Sequence, residues 1–169
     1  MLVIAHRGAN KEAVENSFDA FDRCIEIGID RVELDVVQAE DESLMIHHDD
    51  HLLRLCGVDK YVSQSELDYL QKLKLPDGSQ IPLLEQILNR YLDHFEINIE
   101  IKKQKGVSLS KSAELVWRCI DRHVEQSLQN RIIVSCFQSE PLIWFNEKAP
   151  RIKTAALWGI DSYSWPEFS

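Results

Sequence analysis

The sequence contains no apolar run near the roughly 18 consecutive residues that a membrane-spanning helix needs. Only residues 1–5 are apolar before His6 and Arg7, and this run is too short for the hydrophobic region of a signal peptide. The absence of both features predicts a cytoplasmic protein with no integral membrane segment. The short run itself predicts a first β-strand that begins at the first residue.

Basic residues and paired cysteines are scarce as well. The chain has 19 Lys and Arg residues against 28 Asp and Glu residues, a net charge of −9. Because a nucleic-acid-binding protein needs a basic surface, no nucleic-acid partner is expected. A small anionic substrate held beside a bound cation remains compatible with this charge. The four cysteines form no C-x-x-C pair of the kind that binds zinc, which predicts structural roles for them.

The chain has 169 residues, 44% of them hydrophobic, which suffices for one domain that is predicted to span residues 1–169. Strand-like and helix-like patterns alternate along it. The predicted strands are residues 2–5, 31–37, 44–48, 97–102, 131–135 and 153–157, and helices are predicted to begin near Ser17, Pro82, Leu109 and Ser139. This alternation is typical of α/β proteins with a mostly parallel sheet covered by helices.

Two connections depart from the regular alternation. Residues 38–43, between the second and third predicted strands, are too few for an ordinary parallel crossover. This pair is therefore either a hairpin or a crossover without its helix. Residues 49–80 are polar, with at most one short helix near residues 63–73. They predict a small insertion after the third strand, where long loops are often functional lids.

Acidic residues alternate with apolar residues along two predicted strands. Glu33 and Asp35 share one face of the second strand, and Glu100 and Lys102 share one face of the fourth. In a helix-covered sheet both faces are buried, and converging carboxylates need a compensating cation there. An all-oxygen ligand set favours Mg²⁺ or Ca²⁺ over zinc. The alternative is a half-exposed strand whose charges face water.

Two histidines stand at the ends of predicted strands. His6, followed by Arg7 and Gly8, ends the first strand, and His48 ends the third. Histidines beside a metal can act as general base and general acid, although a histidine at a strand end is more often structural. Because adjacent strand residues point to opposite faces, only one of His47 and His48 can face such a site. Structural roles are predicted for His47, His51, His94 and His123.

Six short motifs occur in order along the chain. They are His6-Arg7-Gly8, Glu15-Asn16-Ser17-Phe18, Glu33-Leu34-Asp35-Val36, His48-Asp49-Asp50 with Leu52 and Arg54, Ile81-Pro82-Leu83-Leu84-Glu85, and Asn98-Ile99-Glu100-Ile101-Lys102. Together they resemble the glycerophosphodiester phosphodiesterase family. Each motif alone is weakly specific, but the ordered set runs from residue 3 to about residue 157 and is highly specific.

The resemblance implies a TIM (β/α)-barrel with its site at the carboxyl ends of the strands. It implies hydrolysis of a glycerophosphodiester, a small-molecule substrate, to glycerol 3-phosphate and an alcohol. The matching residues are Glu33, Asp35 and Glu100 for the metal ligands, His6 and His48 for the acid–base pair, Arg7 for substrate binding, and Lys102 for a catalytic cation on the phosphate. The alternatives are a phospholipase-like barrel that releases a cyclic phosphate, and a shortened, non-catalytic form that binds metal and phosphate.

The chain departs from the family pattern chiefly in length. An eight-stranded barrel has about 250 residues, with about 200 as the lower limit, whereas about six strands are predicted here. Val14 replaces the usual proline before Glu15, which is a minor difference. The barrel is therefore expected to be incomplete at its C-terminus, with an open edge that permits self-association. The aromatic residues expected to cover part of that edge are Trp158, Tyr163, Trp165 and Phe168.

Overall fold

A computed structural model describes residues 3–158 of the chain. The strands are β1 (Ala5–His6), β2 (Arg31–Gln38), β3 (Leu44–Ile46), β4 (Glu96–Ile101), β5 (Ile132–Cys136) and β6 (Lys153–Ala156). The helices are α1 (Phe18–Glu26), α2 (Leu53–Cys56), α3 (Leu67–Leu70), α4 (Leu84–Tyr91), α5 (Leu109–His123) and α6 (Ser139–Lys148), with 3₁₀ turns at Val62–Gln64 and Gln129–Arg131. In this part of the chain, no helix combines the length and apolar character needed to cross a bilayer.

Five of the strands are parallel and lie in the order β1-β2-β4-β5-β6. The remaining strand, β3, is antiparallel to β2, with Val36 opposite Ile46. The connection that the sequence left undecided is therefore a hairpin, and at its turn the Ala39 N–H donates to Ser43 O at 2.8 Å. The prediction of an incomplete barrel is confirmed, but one of the six predicted strands is this hairpin strand. Residues 3–158 thus hold five parallel barrel strands, open between β1 and β6.

The parallel strands have one apolar and one polar face because residue types alternate along them. Apolar residues such as Leu34 and Ile99 are fully buried in a core that includes Phe21, Val116 and Phe145 from the helices. The polar residues of β2 and β4 lie on the opposite face, which is the inner face of the incomplete barrel. The alternation that defines the core therefore also places the charged groups together.

The segment after β3 is an insertion with a small core of its own. The single helix predicted near residues 63–73 is divided into a 3₁₀ turn and α3, because Ser65 between them is extended (φ −136°, ψ 135°). The buried Ser65 hydroxyl donates to Tyr61 O at 2.8 Å. Apolar residues of the insertion pack with the β2–β3 hairpin in a second cluster formed by Val37, Ala39, Met45, Leu52, Val62, Leu70, Leu75 and Ile81. This packing holds the insertion beside the carboxyl end of β2.

The first strand begins later than the sequence predicts, at Ala5 within the described residues. Within the described residues, β1 consists of Ala5–His6, and Ala5 lies opposite Val32, the second residue of β2. Val3 and Ile4 are 47% and 50% exposed because this register carries them to the start of β2 and beyond it. Trp158, expected to cover the open side, is 73% exposed. Leu2, Tyr163, Trp165 and Phe168 lie outside the described residues.

Candidate functional site

Three carboxylates meet on the inner face of β2 and β4. Asp35 lies opposite Glu100 in the parallel ladder, and Glu33 lies on the same face of β2 two residues earlier. One oxygen from each group lies within 4.8 Å of the oxygens from the other two. Glu33, Asp35 and Glu100 are 7%, 0% and 6% exposed. The alternation in the sequence therefore produces a buried acidic cluster, not strands with charges in water.

The surroundings of this acidic cluster fit a bound cation. Burial, reinforced by the charge of Asp35, raises the pKa of Glu33 to about 8. Within residues 3–158, the buried Glu33 Oε1 accepts no hydrogen bond, and Asp35 Oδ1 has an ion pair with Lys102 at 3.4 Å but no hydrogen bond. Buried carboxylate oxygens without a partner are costly, and a hard divalent cation is a suitable partner for oxygen ligands. The acidic cluster could therefore hold a metal ion.

Two cationic side chains border the acidic cluster. Arg7 Nε lies 3.0 Å from Asp35 Oδ2, and the Arg7 backbone N–H donates to Glu33 Oε2 at 3.0 Å. Lys102 Nζ lies 2.6 Å from Glu100 Oε1 and 3.4 Å from Asp35 Oδ1. Both cations are mostly buried, with side chains 17% exposed. They offset part of the negative charge and are placed to contact an anion bound at the same point.

The turn after β1 holds Arg7 through an unusual backbone geometry. Arg7 and Asn16 have positive φ angles of 59° and 58°, a conformation that costs energy for residues other than glycine. Gly8 has φ of 75°, and a Cβ there would lie 2.8 Å from Ala20 Cβ, so glycine is required. The Asn16 N–H donates to Arg7 O at 3.0 Å, and its Nδ2 donates to Asp35 Oδ2 at 2.9 Å. The sequence alone did not assign this role to Asn16, although its place in the motif Glu15-Asn16-Ser17-Phe18 indicated a functional residue.

His6 lies beside the acidic cluster, and His48 lies near His6. His6 Nε2 is 3.9 Å from Glu33 Oε2, and its side chain is 60% exposed. Partial burial and then the Arg7 cation lower the pKa of His6, against the opposing effect of the nearby carboxylates. His48 is close enough to His6 to lower the same pKa. The structure therefore brings together the two histidines that the sequence suggested as an acid–base pair.

The other histidines have partners that suit structural roles. His47 is fully buried, its Nδ1 lies 2.7 Å from Asp49 O, and burial lowers its pKa. The partners of the remaining three are Asp59 for His51, Phe95 for His94 and Asn89 for His123.

A continuous set of charged contacts joins Arg7 to His48. Arg7 Nη1 lies 3.0 Å from Glu15 Oε1, and the same oxygen lies 2.6 Å from Arg54 Nη2. Arg54 Nε lies 2.6 Å from Asp49 Oδ2, and Asp49 Oδ1 lies 2.6 Å from His48 Nδ1. Although burial acts in the opposite direction, hydrogen bonds from Arg54 and His48 hold the pKa of Asp49 below its ordinary value. Asp49 therefore remains ionised near neutral pH.

Glu33 makes the stability of the cation-free protein depend on pH. Its pKa is about 8 in the folded chain against an ordinary value of 4.5, so the folded state binds this proton more tightly. The contribution of this proton to the free energy of unfolding is present in full below the ordinary pKa of 4.5. It is lost as the pH rises through the pKa of about 8 that Glu33 has in the folded chain. With a chelator present, we expect the free energy of unfolding to fall by a few kcal/mol between about pH 5 and pH 8, since one pKa unit corresponds to about 1.4 kcal/mol.

Urea unfolding of two variants checks this expectation. Glu33→Gln should remove this fall in stability, because an amide does not titrate. Glu96→Gln is the matched control, since Glu96 is an acid on β4 that pairs with Arg31 at 2.7 Å instead of joining the acidic cluster. An unchanged pH dependence in Glu33→Gln would contradict the assignment to Glu33.

The fold and the site define an incomplete (β/α)-barrel with a buried acidic centre flanked by cations and histidines. The model of the glycerophosphoryl diester phosphodiesterase family matches residues 6–167. The chain belongs to this family, as its ordered motifs indicated.

Individual relatives show the same likeness. The chain is 33% identical over 165 residues to a glycerophosphodiester phosphodiesterase of Caldanaerobacter subterraneus, covering 93% of this chain and 66% of the relative. It is 31% identical over 150 residues to the lysophospholipase D of Homo sapiens, covering 80% of this chain and 48% of the relative. The chain thus spans less than two thirds of the length of either relative.

Solved structures confirm the barrel fold. An Oleispira antarctica phosphodiesterase in complex with the product sn-glycerol-3-phosphate has a TM-score of 0.83 and 25% identity, with 91% of this chain and 64% of that chain covered. A glycerophosphodiester phosphodiesterase of Thermotoga maritima has a TM-score of 0.77 and 29% identity, with 98% of this chain and 65% of that chain covered. In both, about a third of the relative has no counterpart in this chain.

Proposed function

We propose that this chain carries the catalytic centre of a metal-dependent phosphodiesterase that hydrolyses glycerophosphodiesters to glycerol 3-phosphate and an alcohol. The observation that carries the proposal is the convergence of Glu33, Asp35 and Glu100 between two cations and beside His6. The Oleispira relative supports the choice of substrate, because its structure contains sn-glycerol-3-phosphate as a product.

In this proposal the charged residues bind the phosphate in two ways. The carboxylates of the acidic cluster hold Mg²⁺ or Ca²⁺, which when bound supplies positive charge to phosphate oxygens. Arg7 and Lys102 contact the remaining phosphate oxygens directly. Their charge is already in place before the reaction, so it stabilises the negative charge that accumulates on those oxygens during attack.

The two histidines transfer protons. His48 Nδ1 lies 2.6 Å from Asp49 Oδ1, and because an ionised carboxylate can only accept, Nδ1 donates and Nε2 is left for proton transfer. Lowering of the His6 pKa favours a neutral imidazole near pH 7. One histidine takes a proton from the water that attacks phosphorus, and the other protonates the alkoxide that leaves as the phosphorus–oxygen bond breaks. If the neighbouring glycerol hydroxyl attacks instead, a cyclic phosphate forms first, and water must open it in a second step to give glycerol 3-phosphate.

A form that binds metal and phosphate without catalysis is the second candidate. It is favoured by the opening between β1 and β6 within the described residues, since a closed barrel would surround the substrate more completely. Catalysis is the stronger proposal because His6 lies beside the acidic cluster and charged contacts join His48 to Arg7, and a mere binding site does not require these histidines.

Phosphorus NMR of glycerophosphocholine incubated with the purified chain and Mg²⁺ or Ca²⁺ separates these functions. Appearance of glycerol 3-phosphate supports hydrolysis. Accumulation of a cyclic glycerophosphate identifies the phospholipase-like reaction instead. Unchanged substrate, together with cation binding in calorimetry, supports the non-catalytic form.

We also infer that a second copy of the chain associates with the open side. Within residues 3–158, β1 and β6 are the edges of the sheet, and the neighbouring Ile4 is 50% exposed. Unpaired edges with exposed apolar residues favour intermolecular pairing. Light scattering should therefore give a mass above that of a monomer at micromolar concentration.

Lysine substitutions test where this association occurs. Ile4→Lys should lower the measured mass, because charge on an edge opposes pairing. Ile143→Lys is the matched control, since Ile143 is 46% exposed on α6, and it should leave the mass unchanged. A wild-type chain that stays monomeric over the whole concentration range would refute self-association.

A further inference from the structure

Arg54 connects three separate segments around the candidate site. It lies on α2 in the insertion, and its guanidinium contacts two carboxylates through different nitrogens. Nε lies 2.6 Å from Asp49 Oδ2, and Nη2 lies 2.6 Å from Glu15 Oε1. Asp49 follows β3, whereas Glu15 lies between β1 and α1. A single side chain thus ties the insertion to the two loops that carry His48 and Arg7.

Each carboxylate held by Arg54 has a second partner in the site. Asp49 Oδ1 lies 2.6 Å from His48 Nδ1, while Asp49 Oδ2 contacts Arg54. Glu15 Oε1 lies 3.0 Å from Arg7 Nη1. Because both oxygens of Asp49 are engaged, the plane of its carboxylate is restricted. The direction of the His48 ring is restricted with it.

We propose that Arg54 is a positioning residue that fixes the tautomer and ring orientation of His48 through Asp49. The inference rests on the proposed function, in which His48 transfers a proton. With Nδ1–H donated to Asp49, the Nε2 lone pair is available. Loss of Arg54 leaves Asp49 Oδ2 without its partner, and the carboxylate can rotate away from His48. The imidazole then populates both tautomers.

A purely structural role for Arg54 would have a different signature. Its side chain is 45% exposed, so water screens its ion pairs and their share of folding stability is small. Arg23 on α1 forms a comparable pair of contacts with Glu12 and Glu26, at 2.6 Å and 2.8 Å. Arg23→Gln is therefore the matched control for Arg54→Gln, with the same chemical change and a similarly exposed ion pair.

Long-range ¹H–¹⁵N NMR at about pH 8 reports the tautomer of His48. The signal is assigned by its loss in His48→Gln. Wild type and Arg23→Gln should show the Nδ1–H tautomer, and Arg54→Gln a mixture of both. In glycerophosphocholine hydrolysis, kcat should fall about 10-fold or more in Arg54→Gln with KM changed less than about twofold, because orientation of a proton-transfer group acts on the chemical step.

Arg54→Lys separates the geometry of the guanidinium from its charge. A single ammonium cannot replace two separated nitrogens, so this variant should remain impaired in both measurements. The proposal is overturned if Arg54→Gln keeps the Nδ1–H tautomer and the kcat of Arg23→Gln, or if Arg54→Lys fully restores both. If the wild-type chain releases no glycerol 3-phosphate, the proposed function fails, while the tautomer comparison still decides the role of Arg54.

Discussion

Replacement of His6 or His48 with alanine is expected to lower kcat for glycerophosphocholine hydrolysis by about 10²-fold or more, the usual contribution of a general acid or base. His6 lies beside the acidic cluster and His48 near His6, yet cation binding depends on the carboxylates. Calorimetry should therefore show cation affinity close to that of the wild type in both variants. This combination of lost turnover and retained binding is specific to a proton-transfer role.

The histidine prediction has an internal control in the same chain. His94 is exposed and lies beside Phe95, outside the site. His94→Ala should keep wild-type activity under the same conditions. A loss of less than threefold in both His6→Ala and His48→Ala would show that these histidines do not perform acid–base catalysis.

Asp35→Asn is expected to abolish measurable cation binding and to reduce turnover by about 10³-fold or more, because a catalytic cation supplies several kcal/mol of transition-state stabilisation. Asp35 is completely buried and occupies the centre of the acidic cluster, in contact with both Arg7 and Lys102. The amide keeps the size of the side chain but removes its charge. Isothermal titration with Mg²⁺ and Ca²⁺ measures the first effect, and the rate of glycerol 3-phosphate release measures the second.

Glu96→Gln is the control for this prediction as well, because it removes one negative charge from the same strand outside the acidic cluster. It should retain both cation binding and activity. Wild-type cation affinity in Asp35→Asn would place the cation elsewhere and would remove the basis for the proposed site.

The acidic cluster was predictable because it depends on local periodicity. Alternation along β2 and β4 forces Glu33, Asp35 and Glu100 toward one face once the strands are parallel neighbours. The helix-covered sheet then makes that face the inner one. The position of His6 followed from the same reasoning, because the carboxyl ends of parallel strands lie on one side of the sheet. The position of His48 did not, because β3 is antiparallel to β2.

Other features could not be predicted because they depend on contacts between distant segments. Residues 38–43 were compatible with two topologies, and the antiparallel pairing that places Val36 opposite Ile46 selects the hairpin. Asn16 holds a site residue from a turn and Arg54 from the four-residue helix α2, and both are too short for a periodic pattern to indicate which way a side chain points. Their roles emerge from distances to Asp35 and Asp49, which only the folded chain defines.

Release of glycerol 3-phosphate from glycerophosphocholine, measured after removal of all divalent cations and again during titration with Mg²⁺ or Ca²⁺, tests the central claim most directly. The account predicts release at background level in the chelated protein and saturable recovery as the cation is added. The same titration should produce no recovery in Asp35→Asn. Equal release with and without cation, or no release at any cation concentration, would contradict a cation-dependent phosphodiesterase centred on Glu33, Asp35 and Glu100.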